Sequence, residues 1–363
     1  MSNILLTAII ISYRRNLGLR KLILFRSLNM ILVLFATLLI TILLLGPTLD
    51  KILLENIRTQ VVDEVNESNL KFQNPSARQS YIDSQIAYRI SILGLHEPWY
   101  SPSKLLYRLI SVMTLDLGKS HFFTTDAGSS NVRDIIFEKV PKTLLLFTSS
   151  TLMVTVIGIL LGSFVAARNG SIWDKINSIF AIFSNSFPSW WVAMIMIFLF
   201  AFTLQIFPAR ATPTTSPSDP SYPLNLAYHM LLPLLTITFV SFGSWAYIVR
   251  YFLINILKED YISAKRTIGI SRKRILYSHA LRNAAPPIAT SVALSLAASF
   301  GGSIIVEAVF DWPGMGKLYY DAIGVLDIPV IIGLTYISTL IFIVTIFIID
   351  ISYAFFDPRV KTF

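Results

Sequence analysis

Six long runs of uncharged, mostly apolar residues constrain this chain more than any other feature of its sequence. A helix that crosses the roughly 30 Å of bilayer hydrocarbon needs about 20 predominantly apolar residues, and each run reaches that length. Charged residues or clusters of Pro, Gly and Asp bound every run. The predicted spans are Ser27–Leu49, Thr143–Ala167, Ile176–Ala209, Met230–Val249, Ala284–Val306 and Ile328–Ile349.

The composition supports a membrane protein and excludes several kinds of site. Of 363 residues, 54% are hydrophobic and 14% are charged, and the mean hydropathy is +0.64. A soluble domain carries about a quarter of its residues as charged ones. Cysteine is absent, which excludes disulfides and cysteine-ligated zinc or iron–sulfur sites. The four histidines lie far apart without the spacing of a zinc motif, so we expect no metal site.

Two apolar segments do not fit a single straight span. The third run is too long, and Pro188 interrupts it just before Trp191, so we expect one broken or tilted helix there. The stretch Asn3–Tyr13 is about half the length needed to cross the bilayer. We interpret it as an interfacial amphipathic segment, with a short membrane helix as the alternative.

The positions of lysine and arginine predict the orientation, because positive charge is retained on the cytoplasmic side. With the N-terminus inside, the cytoplasmic segments hold 17 basic residues and the short external loops hold two, Arg210 and Lys317. The net charge of +9 is therefore concentrated beside predicted spans. This distribution indicates contact with lipid and cytosolic partners and gives no reason to expect nucleic acid.

The spans and loops together predict the organisation of the chain. Helical patches at Leu53–Val65 and Ser103–Met113, separated by turn signals, suggest a small helical subdomain outside the membrane between spans 1 and 2. The predicted parts are a cytoplasmic amphipathic segment (1–26), span 1 (27–49), an external helical subdomain (50–142), a core of spans 2–6 (143–349) that includes a cytoplasmic loop (250–283), and a cytoplasmic tail (350–363).

The loop 250–283 is more elaborate than a connection between two spans requires. Apolar residues recur at helical spacing from Leu253 to Ala264, Gly269 interrupts them, and Ser271 is suited to begin a second helix. One interpretation is a basic hairpin that lies on anionic lipid, at about 1 kcal/mol per basic residue. The other is an element that docks in a groove of a cytoplasmic partner.

At this loop the sequence resembles the EAA loop of ABC importer permeases, in its dipeptide/oligopeptide form. The match begins at Glu259-Asp260-Tyr261-Ile262 and continues through Ala264-Lys265 and Gly269. It ends at His279-Ala280-Leu281-Arg282-Asn283-Ala284 and Pro286. Other positions of the chain, from about residue 25 to the C-terminus, agree with the same family. They are Leu93-Gly94-Leu95, Asp116-Leu117-Gly118, Pro141, Phe187-Pro188-Ser189, Leu232-Pro233, Glu307, Trp312-Pro313-Gly314-Met315-Gly316 and Asp357-Pro358-Arg359.

The resemblance implies an all-α membrane protein with the type I ABC importer permease fold. It implies a second homologous permease subunit, two ATPase subunits on the cytoplasmic face, an external solute-binding protein, and a peptide-like or oligosaccharide solute. ATP and Mg would be bound by the partner ATPases, so this chain would hold no cofactor and perform no hydrolysis.

The resemblance also assigns candidate site residues. The expected external gate or binding-protein docking site comprises Asp311, Trp312, Pro313 and Gly314, and the expected translocation path includes Pro188 and Trp191. The expected ATPase-coupling loop comprises Glu259, Asp260, Tyr261, Ala264, Lys265, Gly269, Arg274, His279, Arg282 and Asn283.

Two other functions fit a multi-span chain less well. An ion-coupled secondary transporter generally needs ionisable groups inside the bilayer, and these spans contain almost none. An intramembrane enzyme would need a base beside a nucleophile such as Ser241 or Ser295, and no histidine or paired acid lies at a comparable depth. Gly158 and Gly162 predict a close helix packing seam, either within this chain or with a partner.

Overall fold

The computed structural model describes residues 2–68, 72, 74–92 and 96–356, and it describes side chains from residue 23 onward except at 350 and 352–356. The side chains of the predicted amphipathic segment before residue 23, the triplet 93–95 and the tail 357–363 lie outside the described residues. The described part is helical and, beyond its helices, contains one isolated β-bridge, which confirms the all-α prediction. The helices are α1 Ser2–Glu67, α2 Pro75–Ile92, α3 Pro102–Met113, α4 Val132–Ala166, α5 Ile172–Ser186, α6 Ser189–Ile197, α7 Tyr222–Leu257, α8 Asp260–Thr267, α9 Arg272–Arg274, α10 Leu281–Ser299, α11 Ile304–Phe310, α12 Met315–Val325 and α13 Ile328–Phe356.

Four helical segments are long and apolar enough to cross a membrane, and two bent helix pairs pass the same test. Counting each bent pair as one span gives six, in the order of the six apolar runs. Several helices extend beyond their predicted spans. The four single segments are Ile23–Glu67, Val132–Ala166, Tyr222–Leu257 and Ile328–Ile349.

The two bent pairs break for reasons that the sequence contains. The helices α5 and α6 meet at 101°, and Pro188 stands at the start of α6 in an extended conformation. The expected break at this proline is therefore present, and it is much sharper than a kink. The second pair, Arg272–Ser299 with Ile304–Phe310, bends by 63° around Gly301 and Gly302. The sequence analysis did not anticipate this second break.

The chain divides into two compact units, one built on residues 25–135 with 322–340 and a larger one built on 136–321. In the smaller unit, the C-terminal end of α1 packs against α2 through buried Ile57, Val61, Val65 and Ile82. The patch predicted at Leu53–Val65 belongs to α1, which continues through Pro47 without ending.

In the larger unit, α4 packs closely against α7. A Cβ atom at Gly158 would lie 2.1 Å from Trp245 Cδ1, and one at Gly162 would lie 2.6 Å from the Ala246 carbonyl oxygen. Only glycine leaves room for this approach of the two helices. The predicted glycine seam is thus a contact within this chain.

Candidate functional site

The coupling hairpin, which we define as residues 258–283, joins α7 to α10 through two short helices and a glycine turn. The backbone at Glu259 is extended and separates α7 from α8. After α8, Gly269 has a φ of +82°, in the left-handed region that favours glycine. A Cβ at Gly269 would meet no atom within 4 Å, so the turn, and not crowding inside this chain, requires the glycine. Ser271 occupies the N-cap position of α9, but its hydroxyl makes no capping hydrogen bond.

Two side-chain contacts fasten α8 to the segment that leads into α10. Lys265 Nζ lies 2.9 Å from His279 Nδ1, and the Asn283 amide donates to the Tyr261 hydroxyl at 2.6 Å. Ile262 on the same short helix is fully buried. These contacts join four of the predicted site residues in pairs and hold the hairpin in a defined shape.

The hairpin exposes apolar side chains, with Ile268 at its tip. Ile268, next to the turn glycine, is 75% exposed, and Tyr261 and Tyr277 are also exposed. Ala264 lies on the surface of α8. An exposed apolar group beside polar residues marks a contact surface. The sequence analysis missed Ile268, because it falls outside the helical repeat, although its place beside Gly269 was a usable signal.

The charged residues predicted for the hairpin lie on its surface. Glu259, Asp260, Arg274 and Arg282 are all exposed. None of the four forms an ion pair with another residue that the structure describes. Their charges are therefore available to a partner.

A buried ion pair ties α7 to α5 and to the loop that precedes α5. Arg250 near the end of α7 donates to Asp174 Oδ2 at 2.7 Å and to Asn169 Oδ1 at 3.2 Å. The Gly170 N–H also donates to Asp174 Oδ2, at 2.8 Å. Asp174 is 4% exposed. Its partner is distant in sequence, so no local pattern signalled this pair.

A groove of about 360 Å³ adjoins the hairpin. Leu257 and Ile275 contribute apolar walls, and Lys258, Arg266 and Arg272 contribute positive charge. Within the described part of the chain, no carboxylate lies within ion-pair distance of these three cations. The groove is suited to an anionic group on a partner.

A buried carboxylate organises the residues around the predicted gate. Glu307 on α11 is 0% exposed and accepts hydrogen bonds from the Thr143 hydroxyl at 3.1 Å and the Gly316 N–H at 2.8 Å. The Lys317 N–H donates to it at 3.3 Å, and Thr143 Oγ1 in turn accepts from the Met315 N–H at 2.7 Å. We call these residues the Glu307 cluster. The sequence analysis named Glu307 only within the resemblance, although an acidic residue at the end of an apolar run was a signal.

Two of the four predicted gate residues are buried against this cluster. Trp312 is 0% exposed, and its indole Nε1–H donates to the Lys142 carbonyl oxygen at 3.0 Å. A Cβ at Gly314 would lie 2.2 Å from Glu307 Oε2, so glycine is required there by close approach. Pro313 between them is half-buried. Trp312 and Gly314 are therefore part of the packed interior beside the Glu307 cluster and are not at the surface.

Asp311, the residue before Trp312, lies at the surface among basic groups. It has a φ of +56°, and Lys317 Nζ lies 3.1 Å from it and 2.7 Å from Asp321. Arg210 Nε lies 3.9 Å from Asp311. Burial lowers the pKa of the Lys317 amine, but hydrogen bonds to Asp321 and Asp311 outweigh burial and raise that pKa above its ordinary 10.5. The Lys317 amine therefore stays protonated across neutral pH.

The predicted path residues stand at the sharp break between α5 and α6. Pro188 and Trp191 are both exposed, and the Trp191 ring stacks on Phe187 with a centroid distance of 5.1 Å. They do not contact the Glu307 cluster or the hairpin in any interaction between described residues. Their assignment to the path stays a prediction.

Comparison with known proteins agrees with this geometry. A family model described as the inner membrane component of binding-protein-dependent transport systems matches residues 158–362. The oligopeptide transport system permease protein AppB of Bacillus subtilis is 32% identical over 242 residues, which cover 65% of this chain and 76% of AppB. The dipeptide transport system permease protein DppB of the same organism is 30% identical over 256 residues, covering 70% of this chain and 78% of DppB.

A third relative extends the match over more of the chain. The di/tripeptide transport system permease protein DppB of Pseudomonas aeruginosa is 29% identical over 299 residues, covering 77% of this chain and 86% of that protein. The family match includes the coupling hairpin and the Glu307 cluster after its Thr143 member. The chain belongs to the family of inner membrane components of binding-protein-dependent transport systems, the permeases of ABC importers.

Proposed function

We propose that this chain is the permease subunit of an importer for peptide-like solutes. The relatives that it resembles are named as oligopeptide, dipeptide and di/tripeptide permeases, which favours peptides over oligosaccharides. A solute-binding protein outside the membrane would deliver the solute. A second homologous permease would complete the pore.

The coupling hairpin carries this proposal. It is a short helix pair with a rigid turn, fastened by the Lys265–His279 and Tyr261–Asn283 contacts, and its tip exposes Ile268. An element of this form fits a groove in another protein, as an amphipathic helix docks. We assign the groove to an ATPase subunit, with two such subunits binding ATP and Mg beneath the permease pair.

The proposed mechanism follows from the attachment of the hairpin. Closure of the ATPases on ATP would displace the hairpin as a rigid body and open the permease pair to the outside. This requires the hairpin, both termini and the loop 166–172 to lie in the cytoplasm. The distribution of basic residues supports that orientation.

The decisive experiment substitutes the turn glycine in the complete complex. Gly269→Asp is expected to leave the permease in the membrane and to reduce both ATPase co-purification and ATP-dependent peptide uptake by about tenfold or more. The cause is a negative charge and a side chain at the tip, where a partner must approach closely. The measurements are the ATPase-to-permease ratio after affinity purification and uptake of trialanine into proteoliposomes.

Two control variants separate the possible causes. Gly269→Asn places an uncharged side chain of the same shape at the same φ, and Asn and Asp both tolerate the left-handed region. Gly128→Asp makes the same change at another glycine with φ of +84° and open space around it. Normal ATPase association in Gly269→Asp contradicts the coupling role. Trialanine uptake that persists without ATP on a proton or sodium gradient contradicts the ATP-driven assignment.

A further inference from the structure

A second cavity lies among the membrane-spanning helices of the larger unit. It has a volume of about 240 Å³ and is bounded by α4, α7 and α10. The side chains that line it are uncharged, and most of its polar atoms are hydroxyl groups. These come from Thr151, Thr155, Ser241, Ser244 and Ser295.

Two of the five hydroxyls are already engaged. Thr151 donates to the Phe147 carbonyl oxygen at 2.8 Å, and Ser244 accepts from the Asn185 amide at 2.8 Å. The other three hydroxyls, those of Thr155, Ser241 and Ser295, have no hydrogen-bond partner among the residues that the structure describes. They come from three different helices, one each from α4, α7 and α10.

Trp245 adds a rigid aromatic wall to the cavity, and the Nε1 edge of its ring faces Gly158 on α4. It is 7% exposed, it lines the cavity, and Gly158 leaves space for the edge of its ring. Its indole Nε1–H is buried and has no hydrogen-bond partner within the described part of the chain. A buried donor without a partner costs free energy, as does a hydroxyl in contact with lipid tails.

A polar ligand in the cavity would supply partners for these hydroxyl groups. A hydroxyl in a membrane helix commonly bonds to its own backbone, as Thr151 does. Thr155, Ser241 and Ser295 make no such backbone hydrogen bond within the described part of the chain. Each hydroxyl both donates and accepts, so the set can meet N–H and C=O groups in any order along a bound chain.

We propose that this cavity is a solute-contact site of the translocation path, and that it binds the backbone amide groups of a peptide through uncharged hydrogen bonds. The proposal rests on the proposed function as a peptide permease and adds the location and chemistry of the contact. Thr155, Ser241 and Ser295 are the contact residues. Because no charged side chain lines the site, it admits peptides whatever the charge of their side chains.

The absence of cysteine from the chain allows a direct test. Ser241→Cys and Ser295→Cys each place a single thiol in the cavity of the assembled transporter. A water-soluble methanethiosulfonate reagent should modify both thiols, and trialanine with its binding protein and ATP should slow the modification at least about threefold. The matched control is Ser291→Cys, one turn before Ser295, because Ser291 donates to the Pro287 carbonyl oxygen and does not line the cavity.

Transport kinetics give a second, independent measurement. The double variant Ser241→Ala with Ser295→Ala is expected to raise the KM for trialanine uptake about tenfold, since two neutral hydrogen bonds are lost. ATPase association should stay normal. Ser291→Ala is the control and should transport like the unmodified chain. The same double variant should affect a cationic and an anionic tripeptide equally.

The outcomes distinguish failure of this inference from failure of the proposed function. If trialanine is transported but Ser241→Cys and Ser295→Cys react no faster than Ser291→Cys, the cavity is not on the path. An unchanged KM in the double variant leads to the same conclusion. If the unmodified complex transports no peptide, the proposed function itself is wrong.

Discussion

At the scale of single residues, Glu307 shows how the membrane permease uses a buried acid for structure. Its carboxylate oxygens accept hydrogen bonds from the Thr143 hydroxyl and from the backbone N–H groups of Gly316 and Lys317. All three donors need an acceptor, and the Glu307 and Thr143 side chains lie so close to Gly314 that a Cβ there would meet them at 2.2 and 2.4 Å. Glu307 therefore joins α11 to α4 and α12 through hydrogen bonds.

This role predicts the effect of an isosteric change. Glu307→Gln replaces one accepting oxygen by an NH2 group, which then faces a donor, and is expected to cost about 1–3 kcal/mol of stability. The measurement is the thermal midpoint of the purified complex in detergent. The control is Glu55→Gln, because the Glu55 side chain is 64% exposed and its surface ion pair contributes little. Equal midpoints for the two variants contradict the structural role.

The hydrophobic tip of the hairpin makes a second prediction. Ile268→Ser is expected to reduce ATPase co-purification several-fold, because an apolar side chain buried on docking contributes about 1.5–3 kcal/mol. Ile92→Ser is the matched control, since Ile92 on α2 is 65% exposed and lies in the other compact unit. If both variants retain the ATPase equally, Ile268 is not part of the docking surface.

At the scale of elements, the sequence predicted the helices better than their breaks. Uncharged runs near 20 residues are a strong signal because backbone polar groups in lipid must be satisfied within a helix. Pro188 signalled the first break, since proline removes a helical hydrogen bond. The Gly301-Gly302 break carried a weaker signal, because glycine also occurs within membrane helices at packing contacts.

Some residues of the candidate site could be found from the sequence, and others could be found only from the structure. The glycine turn and the paired residues of the hairpin follow a local pattern, so sequence reasoning found them. The Arg250–Asp174 pair and the Thr143–Glu307 contact join residues far apart in sequence, and only tertiary structure brings them together. The burial of Trp312 could not be predicted from the sequence either, because tryptophan occurs both in protein cores and at interfaces.

The seam between α4 and α7 predicts a coupled pair of substitutions. Gly158→Ala places a methyl group against Trp245 and is expected to destabilise the complex by about 1–3 kcal/mol. Combining it with Trp245→Leu should cost less than the sum of the two single changes, because the smaller side chain relieves the clash. A double-mutant cycle on thermal stability measures this. Strict additivity contradicts the assigned contact.

At the scale of the whole molecule, the proposed orientation has a direct topological test. Single cysteines at Ser218→Cys, in the loop predicted outside, and Lys273→Cys, in the hairpin, are both on exposed positions. A membrane-impermeant maleimide should label the first in intact cells and the second only after permeabilisation. The reverse pattern would place the hairpin outside and remove it from any cytosolic ATPase.

The glycine seam also determines what can move independently. Since α7 carries the coupling hairpin at its end and packs tightly against α4 along Gly158 and Gly162, we expect the two helices to move together. Both helices line the hydroxyl-rich cavity, so under the proposed function a displacement of the hairpin would reach the cavity without a separate relay of side chains. A partner that moves the hairpin would then also reshape the proposed solute-contact site.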